Sequence, residues 1–483
     1  RDLLGIEGIS RHDNFFELGG HSLMVVRMLA RLRQNKLNAS VRAVLETPTL
    51  SALAATLENY QAIITPPNLI TANSTAITPS LLPLITLSQA EIDVIVTQVP
   101  GGVSNIQDIY GLTPLQHGIL FHHMMANKGD PYLIVTRLQF TERTALDRYA
   151  SALQQVIERH DILRTAFIWE DLNEPAQIVW RQVSSLLTEI SLDEKDGSIL
   201  EQLENRFSSD HYKLDLKQAS LLRLIVSPAS DGSWMALQLM HHIIGDNVTL
   251  ERLIAEVHTI AKGESELLAM PIPFRNVLAQ ARLVSDSDAH TEFFKEMLAD
   301  IDSPTLPFGL TGILGNGTEF SDAYLKLPQT LTDELRAHAR CLQISLASLC
   351  HLAWGQVLAC TSGCEKVVFG TVLLGRFQAG KEDDSAMGLL INTLPLRLDI
   401  DDTTVEAAAR QTHTRLSALL THEHTSLAMA QRCSGIPADM PLFSALLNYR
   451  HVQKIERIDT SFPGMSILSS EGLESTSVIT DNG

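Results

Sequence analysis

Between Ile64 and Pro83 the sequence turns to Pro, Asn, Thr and Ser, with Pro66-Pro67, Pro79 and Pro83 close together. Such a stretch favours extended backbone and resists helix, so no single fold runs through it. The 483-residue chain is thereby divided into a small unit and a large one. In the small unit Leu23, Val26, Leu29, Ala30 and Leu32 follow a helical spacing after Ser22, and Leu50, Leu53, Ala54 and Leu57 do so after Thr47-Pro48. Residues 1–62 are therefore expected to be a small all-α helical bundle, and residues 63–104 a linker. That linker carries one short amphipathic helix, over 88–96, which ends in the turn at Pro100-Gly101-Gly102. From Asn105 onward helical stretches (114–127, 145–159, 250–261, 346–358) interleave with β-rich runs (134–140, 221–226, 234–240, 367–372, 394–398). This is an α/β pattern. The polar, turn-rich stretch over 310–322 separates two structural halves, 105–310 and 311–483.

Composition excludes several classes of function. The formal charge is −19 and no Lys/Arg-rich run is present, which argues against nucleic acid or an anionic membrane as the main ligand. The most apolar long run, 345–360, is interrupted by His351 and Gln356, so it fits a buried helix better than a membrane span. Cys341, Cys350, Cys360, Cys364 and Cys433 are odd in number and lack CxxC spacing, so they are not a disulfide framework. Cys360 and Cys364 are expected to be buried free thiols rather than metal ligands, and no metal is predicted. A soluble, cytoplasmic protein in a reducing compartment is expected.

The segment Asp13-Asn14-Phe15-Phe16-Glu17-Leu18-Gly19-Gly20-His21-Ser22-Leu23 puts a serine at the start of an apolar helix, just after a Gly-Gly turn. The turn leaves room for a bulky group on the hydroxyl, and a helix N-terminus stabilises a nearby phosphate. Taken alone, Ser22 reads as a plain N-cap, which any helix can have. The whole string, however, resembles the attachment site of peptidyl carrier domains in nonribosomal peptide synthetases. The resemblance implies that Ser22 carries a 4′-phosphopantetheine arm, with Phe15, Phe16 and Leu18 as packing positions. His21 is similar to the carrier type that serves condensation domains rather than dedicated epimerases.

A second cluster follows the strand-like run 234–240: His241-His242-Ile243-Ile244-Gly245-Asp246-Asn247. Two histidines at a strand end, with a carboxylate four residues on, are placed for one imidazole to act as base while the acid holds local structure. Metal binding is weaker, because adjacent histidines on a strand point to opposite faces and no third ligand is evident. A satisfied pair of core histidines is the commoner outcome for His-His alone. This segment resembles the HHxxxDG signature of condensation domains, members of the chloramphenicol acetyltransferase-like superfamily. Further segments agree in order: Leu112-Thr113-Pro114-Leu115-Gln116, Arg159-His160 with Leu163-Arg164-Thr165, Phe274-Arg275-Asn276, Gly370-Thr371-Val372 with Gly375-Arg376, Asn392-Thr393-Leu394-Pro395, and Asn448-Tyr449-Arg450. The resemblance implies a two-lobed α/β enzyme in which His242 orients or deprotonates the acceptor amine. His241 and Asp246 would be structural partners, Asp246 being paired with Arg376. Asn247 stands at the family's final glycine and is expected in a turn, since Asn tolerates left-handed backbone. The segment before Asp13 is shorter than a complete first helix and loop, and the resemblance fades after Arg450, so the carrier and the second lobe are both expected to be incomplete.

Finally, His122-His123-Met124-Met125-Ala126-Asn127-Lys128-Gly129-Asp130 lies at the end of the predicted helix over 114–127. On residue chemistry alone Gly129 is a helix stop and the histidines favour the last turn. The string also resembles the HH[I/L]xxxxGD pattern of dual condensation/epimerisation domains, with Met124 in place of Ile or Leu. The expected activity is then epimerisation of an L-aminoacyl or peptidyl thioester on the Ser22 arm, followed by condensation of the D-donor with a downstream aminoacyl-carrier. Ordinary L-donor condensation and a non-catalytic docking module are the alternatives. The implied partners are an upstream adenylation domain, downstream adenylation and carrier domains of the same synthetase, and a phosphopantetheinyl transferase.

Overall fold

A computed structural model describes residues 65–126, 128–284, 287–310, 323–375, 386–437, 440–450 and 462–471. Of the first 64 residues it describes 3–4, 6–18, 24–25, 28–29, 31–32, 35–39, 43–44 and 47–59. Ser22, Arg376 and the stretch 311–322 lie outside the described residues. In the small unit Phe16, Val25, Leu29, Ala39, Val44 and Leu53 form one apolar cluster, against which Leu374 and Leu420 of the large unit pack. A helix over Leu50–Ala55 is capped by the Thr49 side chain.

The stretch 63–104 is not a free linker. Ile70, Ile77, Leu82, Ile85, Ile92 and Ile95 are buried in one cluster with Ile106, Ile168, Ile178 and Trp180 of the large unit. The prolines extend the backbone, as expected, but apolar residues between them bind it to the large unit. Its helix α1 (Gln89–Gln98) starts with a complete capping box between Ser88 and Glu91.

The first lobe contains β1 (Ile106–Gly111), α2 (Pro114–Met125), β2 (Leu133–Phe140), α3 (Arg143–Arg159), β3 (Thr165–Ile168), β4 (Ala176–Trp180), β5 (Leu187–Glu189), α4 (Ile199–Phe207), β6 (Leu222–Pro228), β7 (Trp234–His241), α5 (Asn247–Ala261) and α6 (Phe274–Val284). The second contains α7 (Ser287–Leu298), α8 (Gln329–Leu342), α9 (Leu346–Ser362), β8 (Lys366–Leu373), β9 (Asn392–Asp399), α10 (Val405–Leu420), α11 (Leu427–Arg432) and β10 (Leu446–Leu447). A last strand, β11 (Met465–Glu471), follows. The alternating pattern gives sheets that are mainly antiparallel; among the described residues the strands pair in parallel at β5–β6 and β8–β10.

The main sheet has the order β11-β2-β7-β6-β5. β7 is thus internal, paired along its length with β2 (Leu133 opposite His241, Phe140 opposite Trp234) and with β6 (Leu222 opposite Met240). Alternation along β7 sends Ala236 and Met240 into the main core and Leu237 and Leu239 into the core on the opposite face. On the first face, α3 buries Leu146, Tyr149, Leu153 and Val156, each fully buried side chain contributing about 1.5–3 kcal/mol. β1-β4-β3 form a second small sheet, and β9-β8-β10 the sheet of the second lobe.

Two segments cross the division expected at residue 310. β11 returns to the first lobe as the edge of its sheet. α7 packs the other way, placing Phe294 and Leu298 in the second-lobe core with Phe369 and Leu396. Sheet pairing and burial, rather than the polar stretch, decide lobe membership here. The cysteines are free, but only Cys433 is buried; Cys360 is exposed and Cys364 half-buried, because both sit near the outer end of α9.

Burial pushes His351, His422 and His424 of the second lobe down to about 4, with His290 beside the last two adding to the effect. Their folded values lie below the ordinary histidine range near 6.5. The neutral rings therefore contribute their full stability above pH 6.5, and it is lost as pH falls toward 4, where the unfolded chain takes up protons the folded chain refuses. The urea midpoint of the second lobe is expected to fall progressively between pH 7 and pH 4.5, and a midpoint constant over that range would contradict this.

Candidate active site

β7 ends at His241, and the chain then turns through a single 3-10 turn, His242–Ile244, into α5. Gly245 sits in extended backbone where a Cβ would lie 2.6 Å from Thr249 Cγ2 and 2.7 Å from Met240 Cε, so only glycine fits there. Asn247 is not in a left-handed turn. It is the first residue of α5, because Asp246 already ends the turn and caps the helix. The signature's final position therefore needs no special backbone in this chain.

His241 is fully buried. Its Nδ1 accepts the Ile243 N–H at 3.1 Å, so that nitrogen carries no proton and Nε2 must be the donor. Nε2 points at Asp130 Oδ2, 3.0 Å away. The same oxygen receives His123 Nδ1 at 2.7 Å, and Asp130 Oδ1 accepts the Tyr132 N–H at 3.1 Å. Burial alone would raise the Asp130 carboxyl, but the hydrogen bonds from the two imidazoles outweigh it and hold it well below the usual carboxylate range. His241 is pushed down, chiefly by burial, with Asp130 opposing.

His123, Asp130 and His241 offer three donor atoms within metal-ligating reach of one another. The hydrogen bonding does not suit a metal: with Nδ1 of His241 accepting a backbone N–H, a metal on Nε2 would require an imidazolate. The three residues are a hydrogen-bonded group instead. Gly129 is not the helix stop, since α2 ends at Ala126 in extended backbone. Gly129 serves a close approach: at φ +63° a Cβ would lie 2.2 Å from Ser209 O, whose carbonyl accepts the Asp130 N–H. Lys213 caps the free α2 carbonyls of His123 and Ala126. His122 points outward and pairs through Nδ1 with the Tyr132 hydroxyl at 2.7 Å; burial pushes that hydroxyl up to about 12.

His242 is held by its backbone, whose N–H donates to Tyr132 O at 2.8 Å. Its side chain is different: the ring is half-buried, and its buried Nδ1 has no hydrogen-bond partner among the described residues. That nitrogen is closed off from solvent, so an incoming group would meet the exposed remainder of the ring.

Asp246 works between the lobes. Its Oδ1 accepts Thr249 N at 3.0 Å and Thr249 Oγ1 at 3.1 Å, and its Oδ2 accepts Leu390 N at 3.4 Å. Thr249 Oγ1 also bonds Gly388 O and Gly388 N. The segment 386–391, which leads into β9 of the second lobe, is thus fastened to the start of α5. Gly375 makes this approach from the other side, where a Cβ at its φ of +64° would fall 1.6 Å from Leu390 O. The predicted pairing with Arg376 lies outside the described residues.

Other motif segments turn out to be framework. Thr113 caps α2, and Gln116 reaches both the Gln177 amide and Ile243 O at 3.0 Å, steadying the His242 turn. His160 and Arg159 hold Glu256 of α5, Asp161 accepts the Phe274 N–H with both oxygens, and Arg275 pairs with Asp108. Sequence patterns did not single out Thr249, Gln177 or Tyr132; each acts through contacts distant in sequence or through backbone atoms. A cavity of about 830 Å³ opens between the lobes, lined by Leu115, Phe121, Leu278 and Leu390 with His424 and Arg432 on the second-lobe side; no residue of the His242–Ile244 turn lines it.

Two family models match: "Condensation domain" over residues 106–479 and "Phosphopantetheine attachment site" over residues 1–57. The latter kind of domain carries 4′-phosphopantetheine on a serine. Among curated relatives, Malpinin synthetase of Mortierella alpina is 51% identical over 97% of this chain and Malpibaldin synthetase of the same organism 55% over 93%. A linear gramicidin synthase of Brevibacillus parabrevis is 29% identical over 78%. The chain spans only 6–8% of the length of these relatives. In fold it is similar to the crystal structure of holo T3CT (TM-score 0.61, 19% identity, covering 80% of this chain and 85% of that one). It is also similar to the condensation domain of the Monacolin K polyketide synthase MokA (TM-score 0.58, 17% identity, covering 76% and 86%).

The contrast between Asp246 and His242 is open to a stability measurement. Asp246→Ala strips a helix cap and leaves Thr249 Oγ1 and Leu390 N without this acceptor, a loss of about 2–4 kcal/mol. His242→Ala removes a ring whose buried nitrogen has no partner and is expected to cost less than about 1 kcal/mol. Urea unfolding of both variants gives the comparison, and equal losses would contradict the assignment of Asp246 as the framework residue.

Proposed function

Because the chain belongs to the condensation-domain family, with a phosphopantetheine attachment domain ahead of it, we propose that it joins a carrier-bound donor to an acceptor amine through a peptide bond. The observation that carries this reading is the place of His242, half-buried on the turn between β7 and α5, four residues before the Asp246 carboxylate that fastens the second-lobe backbone at Leu390. In the proposed reaction Ser22 bears the phosphopantetheine arm, and the aminoacyl or peptidyl group sits on its sulfur. The acceptor amine attacks the thioester carbonyl as His242 accepts its proton. The C–N bond forms, the C–S bond breaks, and the proton passes to the departing thiolate, leaving a free thiol on the Ser22 arm. Neutral imidazole suits the proton transfer near pH 7. Asp246, with Arg376 as its second-lobe counterpart, keeps the lobes at the separation the two thiol arms require.

The finer part of the reading is that the donor is epimerised first. A thioester acidifies its α-hydrogen, so one base at the same place can serve removal of that proton and, later, deprotonation of the amine. Its support is the His122-His123 to Gly129-Asp130 string, part of which contacts His241. The reading also takes the upstream and downstream adenylation domains, the acceptor carrier and a phosphopantetheinyl transferase as partners, in the cytoplasm.

Three outcomes check it. Treatment with a phosphopantetheinyl transferase and coenzyme A should add one arm to the wild type and none to Ser22→Ala, read by intact mass. His242→Ala should lower peptide formation from a loaded carrier pair by roughly 100-fold or more, as loss of a general base does; a wild-type rate would point to a docking module. Chiral analysis of the product from an L-loaded donor should show the D-residue, whereas an all-L product would remove epimerisation and leave condensation standing.

A further inference from the structure

We propose that Asp130 and His123 are positioning residues that act through His241 on the turn carrying His242. This inference rests on the condensation reading and assigns the extra motif a task that serves either donor configuration. Asp130 is fully buried and its three acceptor contacts are of fixed polarity. Oδ2 takes N–H groups from His123 and His241, and Oδ1 takes the Tyr132 N–H. His241 in turn spends its Nδ1 on the Ile243 N–H inside the His242–Ile244 turn. Tyr132 also supplies the carbonyl that receives the His242 N–H. The Asp130–Tyr132 corner therefore grips the turn twice, once through the His241 ring and once through the backbone. His123 and Asp130 are both buried, and neither lines the interlobe cavity.

The polarity makes a sharp test. An asparagine at 130 has one acceptor and one donor end. With its oxygen toward the imidazoles, its NH₂ meets the Tyr132 N–H; with the amide reversed, the NH₂ meets the His241 Nε2–H. Either orientation forces one donor against another in a buried site. His123→Gln removes one of the two imidazole donors and leaves the His241 bond in place.

The experiment measures peptide formation by the full chain, loaded with whichever donor the wild type uses, in Asp130→Asn and His123→Gln. Expected is a fall in kcat on the order of 100-fold for Asp130→Asn, the scale of a small misplacement of a reacting group, with KM for the acceptor unchanged, and a smaller fall for His123→Gln. Diethylpyrocarbonate labelling, mapped by mass spectrometry, adds a readout independent of turnover: His241 should be inert in the wild type and reactive in Asp130→Asn. A wild-type kcat in Asp130→Asn, a raised KM with unchanged kcat, or His241 labelling identical to wild type would overturn the proposal. If Asp130→Asn does not fold, His123→Gln decides on the same criteria. Absence of peptide from the wild type would count against the condensation reading itself, and the labelling comparison would still judge Asp130.

Discussion

A buried carboxylate must be matched by donors or it destabilises the fold, and Asp130 meets this demand with two imidazoles and a backbone N–H. That constraint propagates. Because Nε2 of His241 is committed to Asp130, Nδ1 is left as an acceptor, and it is satisfied by a turn that brings the Ile243 N–H back toward the strand end. The turn breaks β7 at its last paired residue and swings His242 out of the sheet. The position of the His242 imidazole thus follows from the hydrogen-bond requirement of a residue more than a hundred positions earlier.

The second constraint is that two lobes with separate cores must meet at this turn without closing over it. The junction is polar and local: Asp246 and Thr249 at the start of α5 bind the backbone of 388–390, and Gly375 lets the chain pass close to Leu390 O. Leu389 and Leu390 then anchor that segment in the first-lobe core. Fixing the lobes at a few backbone hydrogen bonds leaves a cavity alongside, whereas a broad apolar interface would fill it. β11, added to the edge of the first-lobe sheet, ties the end of the second lobe back to the first in the same way.

The amino-acid pattern announced the central strands and several of the long helices, where periodicity is strong; β7 and α3 are found within a few residues of where the pattern puts them, whereas α4, α7, α8 and α10 were not singled out. It was silent on β1, β3 and β4, short strands with apolar residues on both faces, and on β11, which pairs with a partner more than three hundred residues away. The division of roles within the site was only partly visible. His241-His242-Asp246 was evident as a group, but that the His241 imidazole is committed at both nitrogens depends on Asp130 and Ile243, contacts no spacing rule reveals. The linker was misjudged for a related reason: proline density describes the local backbone, while the isoleucines between the prolines find their partners in β1, β3 and β4.

The most direct test of this account is the tautomeric state of His241, read from two-dimensional 15N–1H spectra of protein labelled in its histidine rings, with the signal assigned by comparison with a His241→Asn variant. At pH 7 the structure predicts a neutral ring protonated on Nε2, with a hydrogen-bonded, proton-free Nδ1. A ring protonated on Nδ1, or on both nitrogens, would contradict the arrangement on which the placement of His242 depends.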